Sequence, residues 1–474
     1  MLKINFLIFV LILFAFNACV PSEEEDDNNT TIITDINGTS TPASATSGIH
    51  IKAAVYSNNN TANEVNDDTL YIYFDRSYDF ESVKNNVPEA FIVDGNGSIG
   101  SNYNVRQDNN IFYRLKIEQS DSGTLPIPFN VHSDKINLSQ NIIHDINGEY
   151  AKENSKVMVE NFNFYAHLLS GLKNEYICLN NDLNTTISCK DENASKTDGY
   201  YANKNIGKTK SFTTFGKNVI DNVTKLVWQK EDDNVIKTYE EAENYCNSYV
   251  DNLNIYTNWR LPTLNELISI TNKTNPLSLA TYNEFINTKQ RAYFSQTKNF
   301  NNDNTVWAVD FSYGNDLIVD KNSKQYVRCV HNEKSEFNPS YIRGYFGEKE
   351  DNKHIILDTS TSLIWNDMTQ GKLVWKEALS YCENFEYGYL TNWRLANYNE
   401  LHSLVDLEKS APSINNIFEF KPASLFWTSS INAKNNKNVW VINFGNGEDS
   451  ANGYLIDNKN SKAYVRCVHS LDAY

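Results

Sequence analysis

Seven cysteines offer this chain its most versatile chemistry: Cys19, Cys178, Cys189, Cys246, Cys329, Cys382 and Cys467. A thiolate can ligate metal, attack a substrate, cycle its redox state, carry a lipid or close a disulfide, and spacing separates these uses. No Cys-x-x-Cys occurs, and Cys329 and Cys467 are each followed two residues on by a single His, His331 and His469. That pattern favours disulfides over a metal centre or a redox pair. The chain has no Ser-His-Asp nucleophile elbow, Walker loop, Gly-rich dinucleotide fingerprint or His-Glu-x-x-His. With 59 Asp and Glu, any two carboxylates can be called a pair, so their spacing carries no catalytic signal. The expectation is a protein without catalytic residues or a metal site.

An internal repeat organises the later cysteines. Leu226-Val227-Trp228-Gln229 aligns with Leu363-Ile364-Trp365-Asn366, and Ala242 to Cys246 with Ala378 to Cys382. Thr257-Asn258-Trp259-Arg260-Leu261 aligns with Thr391-Asn392-Trp393-Arg394-Leu395, and Asn265-Glu266-Leu267 with Asn399-Glu400-Leu401. Tyr326-Val327-Arg328-Cys329-Val330-His331 aligns with Tyr464-Val465-Arg466-Cys467-Val468-His469. Each copy holds one early and one late Cys, 83 and 85 residues apart. The economical pairing is Cys246–Cys329 and Cys382–Cys467, with Cys178–Cys189 closing a small hairpin ahead of the first copy. Closing a loop of that length is worth on the order of 4 kcal/mol in the chain-entropy model.

The elements that must position these residues are legible. Thr238-Tyr239-Glu240-Glu241 opens a helix as a capping box, and Ala242, Cys246 and Tyr249 recur at helical spacing on one face. In copy two Trp375, Ala378, Cys382 and Phe385 make the same stripe. A second helix opens at Thr263 and again at Asn397, and each copy then switches to strand character around Trp307 and Trp440. Each copy therefore reads as an α+β unit.

The quoted motifs resemble the Lcl C-terminal domain family, the C-terminal domain of the Legionella collagen-like adhesin, which is grouped with C-type-lectin-like folds. The resemblance implies two tandem C-type-lectin-like domains and a structural role for Trp228, Trp259, Arg260, Glu266, Arg328, Trp365, Trp393, Arg394, Glu400 and Arg466. Copy two departs with Leu395-Ala396-Asn397 in place of Leu-Pro-Thr, from which a weaker second helix cap is expected. The same broad fold hosts formylglycine-generating oxidases, but those need reactive cysteines and all six here have structural assignments. In lectin-like folds the stretch between second helix and late strands carries ligand loops. That makes Tyr282, Phe285, Tyr293, Phe418 and Phe420 the candidate ligand residues, since aromatic faces stack on sugars. Calcium is conceivable at Gly447-Glu448-Asp449, although no Glu-Pro-Asn or Gln-Pro-Asp loop occurs.

The remaining segments place the protein in a cell. An apolar run from Ile4 to Phe16 follows Lys3 and is shorter than the ~20 residues that span a bilayer, so it reads as an export signal. Phe16-Asn17-Ala18-Cys19 resembles the lipobox of bacterial lipoproteins, which implies a lipid anchor on Cys19. Val20 in place of Asp implies outer-membrane retention. A plain secretory signal or an uncleaved anchor is the alternative. Glu23 to Asp27 is an acidic block that cannot bury a core and reads as tether. Short alternating runs from Ile51 to His132 fit an antiparallel immunoglobulin-like β-sandwich.

The expected organisation is a signal peptide at 1–18, a tether at 19–47, a sandwich at 48–165 and a disulfide lead-in at 166–212. Two repeats follow at 213–333 and 346–474, joined by a linker at 334–345. A chain of 474 residues accommodates that many domains. A net charge of −17 argues against nucleic acid and against the sulfated polysaccharides associated with the namesake adhesin. The function expected is non-covalent recognition of a glycan or surface protein, with a structural envelope component as the runner-up.

Overall fold

The computed structural model describes residues 30–32 and 49–471, apart from 58–67, 109–112, 120–128, 130–132, 146, 152–155, 162–167, 171–174, 252–254, 276–278, 332–340, 346–353, 368–370, 387–389, 410, 446–456 and 459. The protein is β-rich, with a few short helices. The segment expected to be a signal peptide, Cys19 and the stretch Gly447-Glu448-Asp449 lie outside the described residues. So does the expected tether, except that Thr30–Ile32 pairs in parallel with Tyr341–Tyr345.

In the N-terminal region seven strands form one hydrogen-bonded sheet. The order across it is Phe91–Asp94, Lys135–Leu138, Val157–Asn161, Ile51–Ser57, Thr69–Phe74, Arg114–Gln119 and Tyr103–Asp108. All neighbours are antiparallel except Ile51–Ser57 with Val157–Asn161, which run parallel, so the purely antiparallel arrangement expected is corrected. Every residue of Thr69–Phe74 is buried, and all but one of Ile51–Ser57. Central strands covered on both faces lose the inside-outside alternation that a half-exposed strand shows. Of the expected run Ile127 to His132 only Phe129 is described, and it is buried.

The two repeats share one strand order. In the first it is Phe212–Phe215, Asn218–Asp221, Val227–Gln229, Val330–His331 and Trp259–Arg260. In the second it is Tyr341–Tyr345, His354–Asp358, Leu363–Asn366, Cys467–Ser470 and Arg394–Leu395. The expected linker therefore supplies, at its end, the first strand of repeat two. A second, three-stranded sheet follows in each copy, built on Ala292–Lys298, Thr305–Asp310 and Asn315–Asp320, and on Leu425–Ile431, Asn438–Asn443 and Asp457–Asn458. Helices Tyr239–Asn247 and Leu264–Ser269 match Trp375–Glu383 and Tyr398–His402. Disulfides join Cys246 to Cys329 and Cys382 to Cys467, tying each first helix to the late strand, while Cys178–Cys189 closes the lead-in hairpin.

The N-terminal sheet is not a detached spacer. One continuous apolar cluster runs from Ile72 and Leu115 through Leu168 to Trp375, Trp393 and Trp427 of repeat two. At its edge Arg114 Nη1 donates to Ser362 Oγ at 3.0 Å.

Candidate functional site

Most of the motif residues are joints of the fold. Arg260 donates through both Nη atoms to Glu266 at 2.8 Å each, and Arg394 does the same to Glu400 at 2.6 and 2.5 Å. Each Glu also closes the capping box of the second helix. The Asn397 side chain accepts the Glu400 N–H at 2.9 Å and the Asn397 N–H donates to Glu400 Oε2 at 2.8 Å. The expected weakening of that cap is thereby corrected: Asn caps as well as Thr because its carbonyl oxygen reaches the same N–H. Arg328 is buried and donates to the carbonyls of Gln229 and Lys230 at 2.7 and 2.8 Å. Arg466 donates to the Asn366 carbonyl at 2.9 Å in the same place. Trp228, Trp259, Trp365 and Trp393 are buried.

The candidate ligand aromatics do not form a surface. Tyr282, Phe285, Tyr293 and Phe418 are at most 5 % exposed, and Phe420 is half-buried against Phe426 and Tyr464. Phe212 packs edge-on to Phe285 and tilted on Tyr282, and the Arg466 guanidinium lies 4.4 Å over the Phe418 ring. Ring faces consumed by core packing cannot stack on a ligand. Among the described residues no three His, Cys, Asp or Glu converge to hold a metal.

A different aromatic group is half-exposed, on the disulfide face of repeat one. Trp259 is its buried floor, with Tyr249 at 4.8 Å, Tyr256 at 6.5 Å and His331 at 5.8 Å between ring centroids. The two tyrosines meet Trp259 edge-on, the geometry that the ring quadrupoles favour. Local sequence sets these positions. Tyr249 follows the end of helix Tyr239–Asn247, beside Cys246. The Asp251 carboxylate accepts the backbone N–H groups of Ile255 and Tyr256 at 3.3 and 3.0 Å, which latches the loop that presents Tyr256. His331 Nδ1 bonds the Thr257 carbonyl. Tyr245 extends the row but is occupied: its hydroxyl accepts from Gln229 at 2.7 Å and Lys237 sits 4.3 Å over its ring. The hydroxyls of Tyr249 and Tyr256 have no partner among the described residues. Exposed Asn244, Asn247, Asn258, Val250 and Ile255 surround them.

Comparison with known protein families decides what the repeats are. Residues 217–331 and 354–469 each match the Lcl C-terminal domain. Both repeats are Lcl C-terminal domains. No curated protein and no solved structure matches the chain.

The two Lcl domains meet across a buried polar junction that includes the lead-in. Lys273 of domain one lies 3.9 Å over the Tyr398 ring and 4.7 Å over the Trp440 ring of domain two, and its ammonium donates to the Gly314 carbonyl. Gly314 has φ +81°, a backbone conformation that favours glycine, and a Cβ there would crowd Lys273 Nζ at 3.3 Å. His402 Nε2 of domain two approaches Asp316 Oδ2 of domain one at 3.7 Å. From the lead-in, Asp198 accepts hydroxyl donors from Ser170 at 2.6 Å and from Ser430 of domain two at 2.8 Å. Lys210 donates to the Thr271 carbonyl at 2.8 Å, and Asn399 of domain two donates to the Leu168 carbonyl at 2.7 Å. Burial pushes Lys210 and Lys273 each down to about 7 and Asp198 up to about 6.

Sequence reasoning missed both the aromatic face and the junction. Tyr249 was legible only as part of a buried helical stripe. The signal for the junction was an unread difference between copies. Tyr398 and His402 stand where domain one has Leu264 and Ile268, and aromatic or ionisable residues in an apolar stripe mark a face that meets another unit.

Proposed function

We propose that this chain is a surface-displayed recognition protein that binds a glycan or a partner protein without covalent chemistry. In this reading Cys19 carries a lipid anchor at the bacterial outer membrane, and residues 20–47 are the tether. The N-terminal sheet is an immunoglobulin-like display unit and the two Lcl domains are C-type-lectin-like. The observation that carries the reading is the half-exposed Tyr249–Tyr256–His331 face. It combines two neighbouring half-exposed rings with hydroxyls that no described group engages. Supporting it, all six cysteines of the lead-in and repeats are bonded in pairs, so no thiol there is left for oxidase chemistry of the formylglycine-generating kind.

The junction suits such a role, because it joins lead-in and both domains in one unit and holds the face in a constant orientation. Exposed Val250 and Ile255 beside the face also suit a protein surface, which keeps an envelope-protein partner as the second reading. A glycan array and a pull-down with envelope proteins, each run with the mature protein with and without calcium, test the proposal. Signal on either supports recognition. Silence on both, with the protein folded, refutes it.

A further inference from the structure

We propose that domain one alone carries the ligand face, built from Tyr249, Tyr256, Asn247, Asn258 and His331, and that it takes a neutral hexopyranose unit of a glycan. The inference rests on the recognition reading and adds the ligand class and the domain.

The restriction to domain one follows from the residues at matching positions. Tyr249 and Tyr256 correspond to Phe385 and Leu390, so domain two lacks both hydroxyls. Phe385 and Leu390 are also buried, at 8 % and 7 % exposure, whereas Tyr249 and Tyr256 are half-exposed. The end of the matching helix of domain two lies under the influence of the lead-in. Glu383, which corresponds to exposed Asn247, is partly withdrawn from water and lies within the field of lead-in Lys196. Tyr201 of the lead-in covers Arg394 of the same domain, 5.5 Å from guanidinium to ring. The face that domain one leaves open is the face domain two uses for packing.

The ligand class follows from charge and donor type. The carboxylates whose charge reaches Tyr249 are those of Asp251 and Glu231. Those carboxylates repel sulfated and uronate chains at short range, where screening by salt is weakest. A neutral pyranose presents an apolar C–H face to a tyrosine ring and hydroxyls to its edge. Phenol O–H and carboxamide groups donate to and accept from those hydroxyls without a charge partner. Tyr249 and Tyr256 supply the rings and phenols, Asn247 and Asn258 the amides. Asp251 is a positioning residue, acting through the N–H of Tyr256.

The test uses the mature full chain in native affinity electrophoresis through gels containing mannan, galactan, β-glucan or dextran, with heparin and alginate gels alongside. The first variant, Tyr249→Phe with Tyr256→Leu, installs the residues that domain two already folds with. The reciprocal Phe385→Tyr with Leu390→Tyr leaves domain one intact. The expected result is retardation by at least one neutral polysaccharide and none by heparin or alginate. The first double variant should weaken it at least about tenfold with an unchanged unfolding curve, as the loss of two hydrogen bonds and one ring implies. The reciprocal variant should leave it unchanged. Retardation that survives the first variant, or that occurs only in heparin or alginate, overturns the inference while leaving recognition standing. Silence in every gel combined with a protein partner in the pull-down overturns the glycan class. Silence in all assays overturns the recognition reading itself.

Discussion

The two Lcl domains share strand order, helices, disulfide and buried Arg–Glu pair, yet they spend their surfaces differently. Domain two is enclosed: the N-terminal sheet shares its apolar cluster, lead-in Lys196 and Tyr201 act on its Glu383 and Arg394, and its second helix meets domain one. Domain one keeps its disulfide face in solvent. Of two copies of one fold, one is used for packing and the other keeps a half-exposed aromatic surface. The shared scaffold and the differing faces are separable because the scaffold residues are buried.

The largest expected effect tests the shared scaffold under different enclosure. Arg394 and Glu400 are 4 % and 2 % exposed at their side chains, while Arg260 is 15 % exposed opposite a fully buried Glu266. Breaking a fully buried pair strands an uncompensated charge, so Glu400→Gln should cost about 3–5 kcal/mol in urea unfolding. Glu266→Gln should cost less, because water reaches Arg260. Equal losses would show that enclosure does not distinguish the domains.

Paired Cys→Ser exchanges come next. Removing Cys246–Cys329 or Cys382–Cys467 should each cost on the order of 4 kcal/mol, since the closed loops are nearly the same length. A marked inequality between the two would mean that one domain borrows its stability from its neighbours.

The junction predicts an unusual pH profile. The folded pKa of Lys273 and of Lys210, about 7, lies below the ordinary 10.5, so between those values the unfolded chain binds more protons and stability rises with pH. Asp198 is raised to about 6, so its contribution is fullest below its ordinary 3.8 and is lost as pH rises through 6. The melting temperature should therefore pass through a trough near pH 6–7 and climb toward pH 9–10. The charged groups that act on Lys273 are Asp316 and Lys210, with His402 on the far side of Asp316, and Lys273→Met should flatten the alkaline climb. An unchanged slope in that variant would remove Lys273 from the account.

The smallest effect concerns the caps. Asn397→Thr puts the domain-one residue into the domain-two box and should change stability by less than about 0.5 kcal/mol, as thermal melts would show. A larger loss would mean that the Asn amide has a second duty.

Much of the scaffold was legible because it rests on local or periodic rules. The capping boxes at Thr238 and Thr263 and the Ala242–Cys246 stripe lie within one or two helical turns, so near neighbours in sequence determine them. The cysteine pairing followed from the repeat. The strands Tyr103–Asp108, Lys135–Leu138 and Val157–Asn161 were not read, since Val157–Asn161 pairs in parallel with a strand some hundred residues earlier and no local pattern announces it. The variable aromatics were assigned to a ligand surface because composition cannot say which side of a loop meets the core.

The sequence by itself determined that two homologous, disulfide-stapled units stand in tandem, since repeated spacing survives independent of packing. Only the tertiary structure decided which aromatics face water and that Lys273 of one unit lies over Tyr398 and Trp440 of the other. The physical reason is that burial is a property of surfaces brought together. Tyr282 and Tyr249 are the same residue type with Asn close by in sequence, and what separates them is Phe212, carried against the first by a strand seventy residues away, and open solvent beside the second.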